Sequence, residues 1–234
     1  LARRATLIQA LRALPSTKGK VALFAGPYEI LSPYTGAAGG THMQAMAKAY
    51  ALLGYDAGAL MPAEAAALRQ AGAAMPKTFV TLGPTPDVAT MRIGDIPVGV
   101  VRFPALANAE ATVPAELADR TAAAAAALRG KVRLIVGISG WGATDEAAFV
   151  RAHPGAVDVL LGSGPGLGSA GTAVGDGKTL WARAYSQGKT VNRLDLFALP
   201  DTDRFVWAPQ TGYRAEVISL DDQYAAAPEV QKLF

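Results

Sequence analysis

Apolar residues recur at helical spacing in the first fourteen positions: Leu7, Leu11 and Leu14 share one side, with Arg3, Arg4 and Arg12 elsewhere. The spacing predicts an amphipathic helix over Leu1–Leu14, broken by Pro15-Ser16-Thr17-Lys18-Gly19. The short run Lys20–Ala25 has a turn at each end and reads as a buried strand. An irregular stretch rich in Gly, Pro and Ser, Gly26–Gly40, follows it. Helical spacing resumes over Thr41–Leu53, with Thr41 placed to cap the helix and Gly54 to stop it. Strands are then predicted at Tyr55–Leu60, Thr78–Leu82, Val88–Ile93, Val98–Phe103, Arg133–Ile138 and Val157–Leu161. Helices are predicted at Ala63–Ala73, Pro114–Leu128 and Glu146–Arg151. From Leu167 onward strand patterns dominate, at Leu180–Tyr185, Thr190–Phe197, Phe205–Ala208 and Arg214–Ser219, before a closing helix over Asp222–Phe234. Alternating strands and helices followed by antiparallel strands predict an α/β sandwich of two sheets flanked by helices. No repeat or linker interrupts the chain, so 1–234 reads as a single domain.

Composition narrows the partners. The chain has 234 residues, 51% of them hydrophobic, enough for a sizeable core. Only 18% are charged, and Ala and Gly are abundant, which fits closely packed helices or simply a GC-rich genome. The net charge of +3 is spread along the sequence rather than clustered, which argues against nucleic acid as a partner. Cysteine is absent, which excludes disulfides and thiolate chemistry. No segment reaches the roughly 18–20 apolar residues of a membrane span, and the Ala122–Ala127 run is far too short. The sequence starts at Leu1 without a signal peptide, so targeting cannot be read from it.

Five segments, in order, carry a likeness to a known family. Gly54-Tyr55-Asp56-Ala57 leads through a short strand to Met61-Pro62-Ala63-Glu64, and Leu23-Phe24-Ala25-Gly26-Pro27 ends an earlier strand. Ile138-Ser139-Gly140-Trp141-Gly142, Asp158–Gly166 and Gly188–Leu196 complete the set. Together they resemble the calcineurin-type metallophosphoesterase domain of the periplasmic 5′-nucleotidase and UDP-sugar hydrolase family. The likeness implies a four-layer α-β-β-α sandwich of two mixed sheets flanked by helices. It also implies metal ligands in the motifs G-D, G-N-H-E, S-H-x-G and G-G-H-x-H. Laid on these motifs, Pro27 stands for the Asp, Pro62 and Ala63 for the Asn and His, Gly140 for a His, and Gly164 and Gly166 for the last two. Only Glu64 of G-N-H-E is kept. The family's first metal block, D-x-H on an N-terminal strand, would precede Leu1, and its C-terminal nucleotide-binding domain has no counterpart here.

Two-metal hydrolysis needs hard oxygen and imidazole ligands converging on ions about 4 Å apart. Pro, Ala and Gly offer no side-chain donor. The two histidines, His42 and His153, fall outside the ligand positions. No metal or other cofactor is therefore expected. The candidate ligand cleft comprises Glu29, Tyr34, His42, Glu64, Ser139, Trp141 and Ser163. Asp56 and Asp158 read as caps of strands or turns, and Glu64 as a first-turn residue favoured by the helix dipole. Trp141 could floor a pocket or fill the space of the lost histidine. The Gly162–Gly168 loop could cradle an anion through backbone N–H groups, although it lacks the G-K-[ST] of a P-loop. The Gly26–Gly36 loop also faintly resembles an S-P-x-x-G segment of cysteine- or selenocysteine-bearing relatives, but with Tyr34 and no Cys no redox role follows.

The expected function is a catalytically degenerate 5′-nucleotidase-like protein, exported to the periplasm or beyond, that binds a small molecule or protein at the former metal cleft. One alternative is an active phosphoester hydrolase using ligands outside this segment. Another is a structural or interaction domain of the cell envelope.

Overall fold

Leu7 and Ile8 on the first helix, and Met43, Met46, Tyr50 and Leu53 on the second, turn inward, whereas Leu14, expected on the side of Leu7, is exposed and Arg4 is buried. The computed structural model describes residues 1–30, 36–107, 111–185, 188–202 and 204–234. Its elements begin with α1 (Ala2–Ala13), β1 (Phe24–Ala25), α2 (Gly36–Leu53), β2 (Ala57–Leu60), α3 (Pro62–Gln70) and β3 (Phe79–Thr81). Then come β4 (Asp87–Ile93), β5 (Ile96–Arg102), α4 (Ala115–Ala126), β6 (Leu134–Ser139), α5 (Ala143–Ala152) and β7 (Val159–Gly162). The chain closes with β8 (Ser169–Val174), β9 (Thr179–Arg183), β10 (Thr190–Leu196), β11 (Tyr213–Ser219) and α6 (Pro228–Gln231). The protein is thus a mixed α/β fold with several sheets flanked by helices, as expected.

The chain divides into two compact units, Leu1–Thr81 with Ser219–Phe234, and Leu82–Ile218. The first holds a parallel sheet in the order β1-β2-β3, registered by Phe24 opposite Ala57 and Gly58 opposite Phe79. Its core gathers Ile30, Met43, Tyr50, Leu60, Leu68 and Phe79. The second holds a sheet in the order β4-β5-β6-β7-β9-β8, and a β10-β11 pair. In the larger sheet β5, β6, β7 and β9 run parallel, while β4 and β8 are antiparallel to their neighbours. Both faces of β6 are buried, which explains its unbroken apolar run.

Several elements differ from expectation: the Lys20–Ala25 strand contracts to Phe24–Ala25, and four other differences have a local reason. Helix α2 starts at Gly36 rather than Thr41. The helical cost of its glycines, about 1 kcal/mol each, is offset by burial along the face containing Gly39, Met43 and Met46. Strand β8 was not predicted: its residues are small, and a register shift between Ser169 and Thr172 breaks the alternation that would reveal it. Phe205–Ala208 is not a strand, because its backbone meets a turn, with the Trp207 N–H donating to the Gly177 carbonyl. The closing helix contracts to Pro228–Gln231, since Pro228 fits only the first turn of a helix.

Candidate functional site

The residues singled out by sequence fall into two clusters, one in each unit. In the first unit the loop after β1 is held by a carboxylate from the first turn of α3. Glu64, 1% exposed, accepts the N–H of Tyr28 at 2.9 Å and of Met61 at 2.7 Å on Oε2, and that of Ile30 at 2.9 Å on Oε1. Burial raises the Glu64 carboxyl above its ordinary value, and the three backbone N–H groups oppose that shift. Tyr28 sits at φ 70°, a left-handed conformation that a non-glycine residue holds only when its neighbours fix it. The bond from its own N–H to Glu64 supplies that restraint.

Glu29 points into a second network. Its Oε2 accepts from Arg4 Nη1 at 3.1 Å and from the Tyr50 hydroxyl at 2.8 Å, while Arg4 Nη1 also donates to the Tyr55 hydroxyl at 2.7 Å. The rings of Tyr50 and Tyr55 stack at 5.1 Å. Burial pushes the Tyr55 phenol up to about 12, with Arg4 opposing and Glu29 adding to the shift. The folded-state value lies above the unfolded one of 10.0, so the stability this group contributes is fully present below pH 10 and is lost as pH rises toward 12. An ultraviolet absorbance titration should therefore show Tyr55 ionising well after the exposed tyrosines. Simultaneous ionisation of all seven tyrosines near pH 10, without unfolding, would refute this.

His42 lies on α2 with its ring 5.4 Å from that of Phe234. Tyr34 lies outside the described residues. Asp56 accepts the Leu23 N–H at 2.8 Å, and Asp158 accepts the Ile135 N–H at 2.6 Å and Arg129 Nη1 at 2.9 Å. Both are therefore committed to capping backbone.

The second cluster forms where β6 and β7 end. Ser163 donates both its N–H and its hydroxyl to the Ser139 carbonyl, at 2.9 and 2.8 Å. The Ser139 hydroxyl oxygen accepts the Trp141 N–H at 3.1 Å. Trp141 is buried, its ring centroid 4.7 Å from Phe103 and 5.8 Å from Phe149, and its indole N–H reaches the Pro104 carbonyl at 2.8 Å. The ring thus packs into the core of the unit. His153, at the end of α5, places Nε2 3.3 Å from Asp119 Oδ1 and its ring 5.2 Å from Phe149.

Sequence reasoning missed the charges at the centre of this cluster. Glu146 on α5 and Arg183 on β9 form an ion pair between side chains 0% and 2% exposed. The Trp181 indole N–H adds a bond to Glu146 Oε2 at 2.9 Å. Burial raises the Glu146 carboxyl, opposed chiefly by Arg183 and then by Trp181 and the Ser139 hydroxyl. Arg183 also spans the loop after β7: Nε donates to the Leu167 carbonyl at 3.0 Å. Its Nη2 faces the carbonyls of Ser163, Gly164 and Pro165 at 3.1, 3.1 and 2.9 Å. A Cβ on Gly162 would lie 2.0 Å from Glu146 Oε2, so glycine is required there for the pair to fit. The available signal was a lone cation in the apolar run of β9 and an acid on the inner side of α5.

No family profile matches the sequence, and no curated protein matches it. Solved structures do. The sulfate thiohydrolase SoxB of Thermus thermophilus aligns over 99% of this chain with a TM-score of 0.70 at 17% identity. The 5′-nucleotidase of Candida albicans aligns over 99% with a TM-score of 0.61 at 12% identity. The NAD nucleotidase NadN of Haemophilus influenzae also aligns over 99%, with a TM-score of 0.59 at 9% identity. The fold is metallophosphoesterase-like. The chain spans about half the length of these solved relatives, 45%, 52% and 54% respectively.

The residues present do not fit the metal pair that the fold family implies. Pro27, Pro62, Ala63, Gly140, Gly164 and Gly166 bring no side-chain donor. Among the described residues no group of three or more His, Asp or Glu side chains is placed to hold a metal ion. In the first unit Glu64 is engaged by three backbone N–H groups, and in the second Glu146 Oε2 is engaged by Arg183 and Trp181.

Proposed function

We propose that this chain is a catalytically degenerate 5′-nucleotidase-like metallophosphoesterase domain, both units included, that binds a small molecule or protein at the strand ends where the family holds its metals. One observation carries the reading: at those strand ends the retained carboxylate, Glu64, accepts three backbone N–H groups, and the positions matching metal ligands lack donors. A carboxylate engaged by three backbone N–H groups clamps a loop and keeps about one of its roughly four lone-pair sites to offer an ion.

Full-length protein purified without chelators is expected to carry far less than stoichiometric manganese, zinc or iron by elemental analysis. It is also expected to show no metal-dependent, saturable hydrolysis of a 5′-nucleotide or a chromogenic phosphodiester. A stoichiometric metal load together with such turnover would overturn the degenerate reading in favour of an active hydrolase. The binding role is tested by melting-temperature shifts against nucleotides, NAD among them. Absence of any shift would favour a purely structural or interaction domain.

No helix among the described residues is long and apolar enough to cross a membrane. The fold likeness to nucleotidases supports an exported location, which fractionation of the source cells would test.

A further inference from the structure

We propose that the Arg183 guanidinium is a built-in cation around which the Ser163–Leu167 loop is wound, replacing at this loop the organising role that a metal has when the loop bears histidines. A guanidinium has five N–H donors in a rigid planar fork and accepts nothing. Here Nη1 meets Glu146, Nε meets Leu167, and Nη2 meets three successive carbonyls. Four carbonyl oxygens and one carboxylate oxygen around a positive centre form a hard-oxygen shell of the kind that suits a cation. An ordinary salt bridge would need only the carboxylate; the carbonyls show that the loop itself is shaped to the charge.

The conformation of the loop fits this reading. Gly164 and Gly166 lie at φ 76° and 111°, values that allow the chain to turn its carbonyls toward one point and that side chains resist. Burial makes the arrangement all-or-none, because either charge without its partner would be stranded away from water. With its carbonyls turned inward, the loop presents Leu167, 87% exposed, on its outer side. The clamp does not depend on whether the protein as a whole is free of metal, so its test is separate from elemental analysis.

The test is chemical rescue in the full chain. Arg183→Ala is expected to lower the melting temperature and to expose the loop after Gly162 to limited proteolysis. Guanidinium ion, at concentrations well below those that denature, should restore both. Urea, a planar neutral molecule of similar size, should restore neither. Equal effects of guanidinium and urea on the variant, or an unchanged cleavage pattern in Arg183→Ala, would overturn the proposal. Should Arg183→Ala fail to fold, Arg183→Lys supplies the second measurement, because it keeps the charge but loses the fork. It should fold, with hydrogen exchange at the Gly164, Gly166 and Gly168 amides faster by about tenfold. Exchange equal to that of the parent would show that charge alone suffices and would sink the proposal.

Discussion

Glu146→Ala is expected to lower the unfolding free energy by about 3–5 kcal/mol, the range for removing one partner of a fully buried ion pair. The carboxylate is 0% exposed, and its loss would leave Arg183, 2% exposed, without a counter-charge. Gly162→Ala should do comparable damage on its own, because its Cβ would lie 2.0 Å from Glu146 Oε2. The two changes should not add. Once the carboxylate is gone, the added methyl group meets no carboxylate oxygen, so the double variant should be little worse than Glu146→Ala alone. Equilibrium urea denaturation of the four proteins gives the coupling directly. Strict additivity would mean that Gly162 is glycine for some reason other than the pair.

Glu64→Ala is expected to cost about 3–5 kcal/mol, with its effect centred on the loop after β1. The substitution removes the acceptor of three N–H groups, each costing about 1–3 kcal/mol if left unmade in a buried setting. Partial access of water to Tyr28 and Met61 keeps the total below the simple sum. Glu64→Gln should cost roughly half as much, since one amide oxygen still accepts while the amide NH₂ confronts a donor. Tyr28, no longer restrained at φ 70°, should relax, making the Pro27–Ile30 segment susceptible to proteolysis. Urea denaturation with limited proteolysis reads both effects. A Glu64→Ala protein within about 0.5 kcal/mol of the parent would contradict the clamp.

Most strands and helices were legible because each depends on local periodicity: β6 through its unbroken apolar run, α2 through the helical spacing of its buried face, whereas α1 forms but leaves Leu14 of its leucine spacing exposed. The metallophosphoesterase-like fold was legible through five short segments in order, and the solved relatives bear it out. The interior of the candidate site was less so. Glu64 was visible as a retained motif residue and as a first-turn acid. Its acceptor role toward Tyr28 and Ile30 depends on residues 36 and 34 positions upstream. Glu146 and Arg183 lie 37 positions apart on a helix and a strand that local pattern never brings together. The same limit explains Phe205–Ala208, whose apolar run looked like a strand. Trp207 instead sends its indole N–H to the Asp158 carbonyl at 2.9 Å, a contact across 49 positions.

The buried pair also bears on which substitutions the loop tolerates. Gly166 is backed by Ala143, whose Cβ would lie 2.4 Å from any Cβ added at position 166, and its φ of 111° resists a side chain in any case. A Gly166→His substitution would therefore collide with the start of α5. The loop would also still be wrapped around Arg183. Substitution at 166 is thus tied to 143, and substitution at 162 to 146 and through it to 183. These positions constrain one another, so drift in this loop is held to coordinated changes.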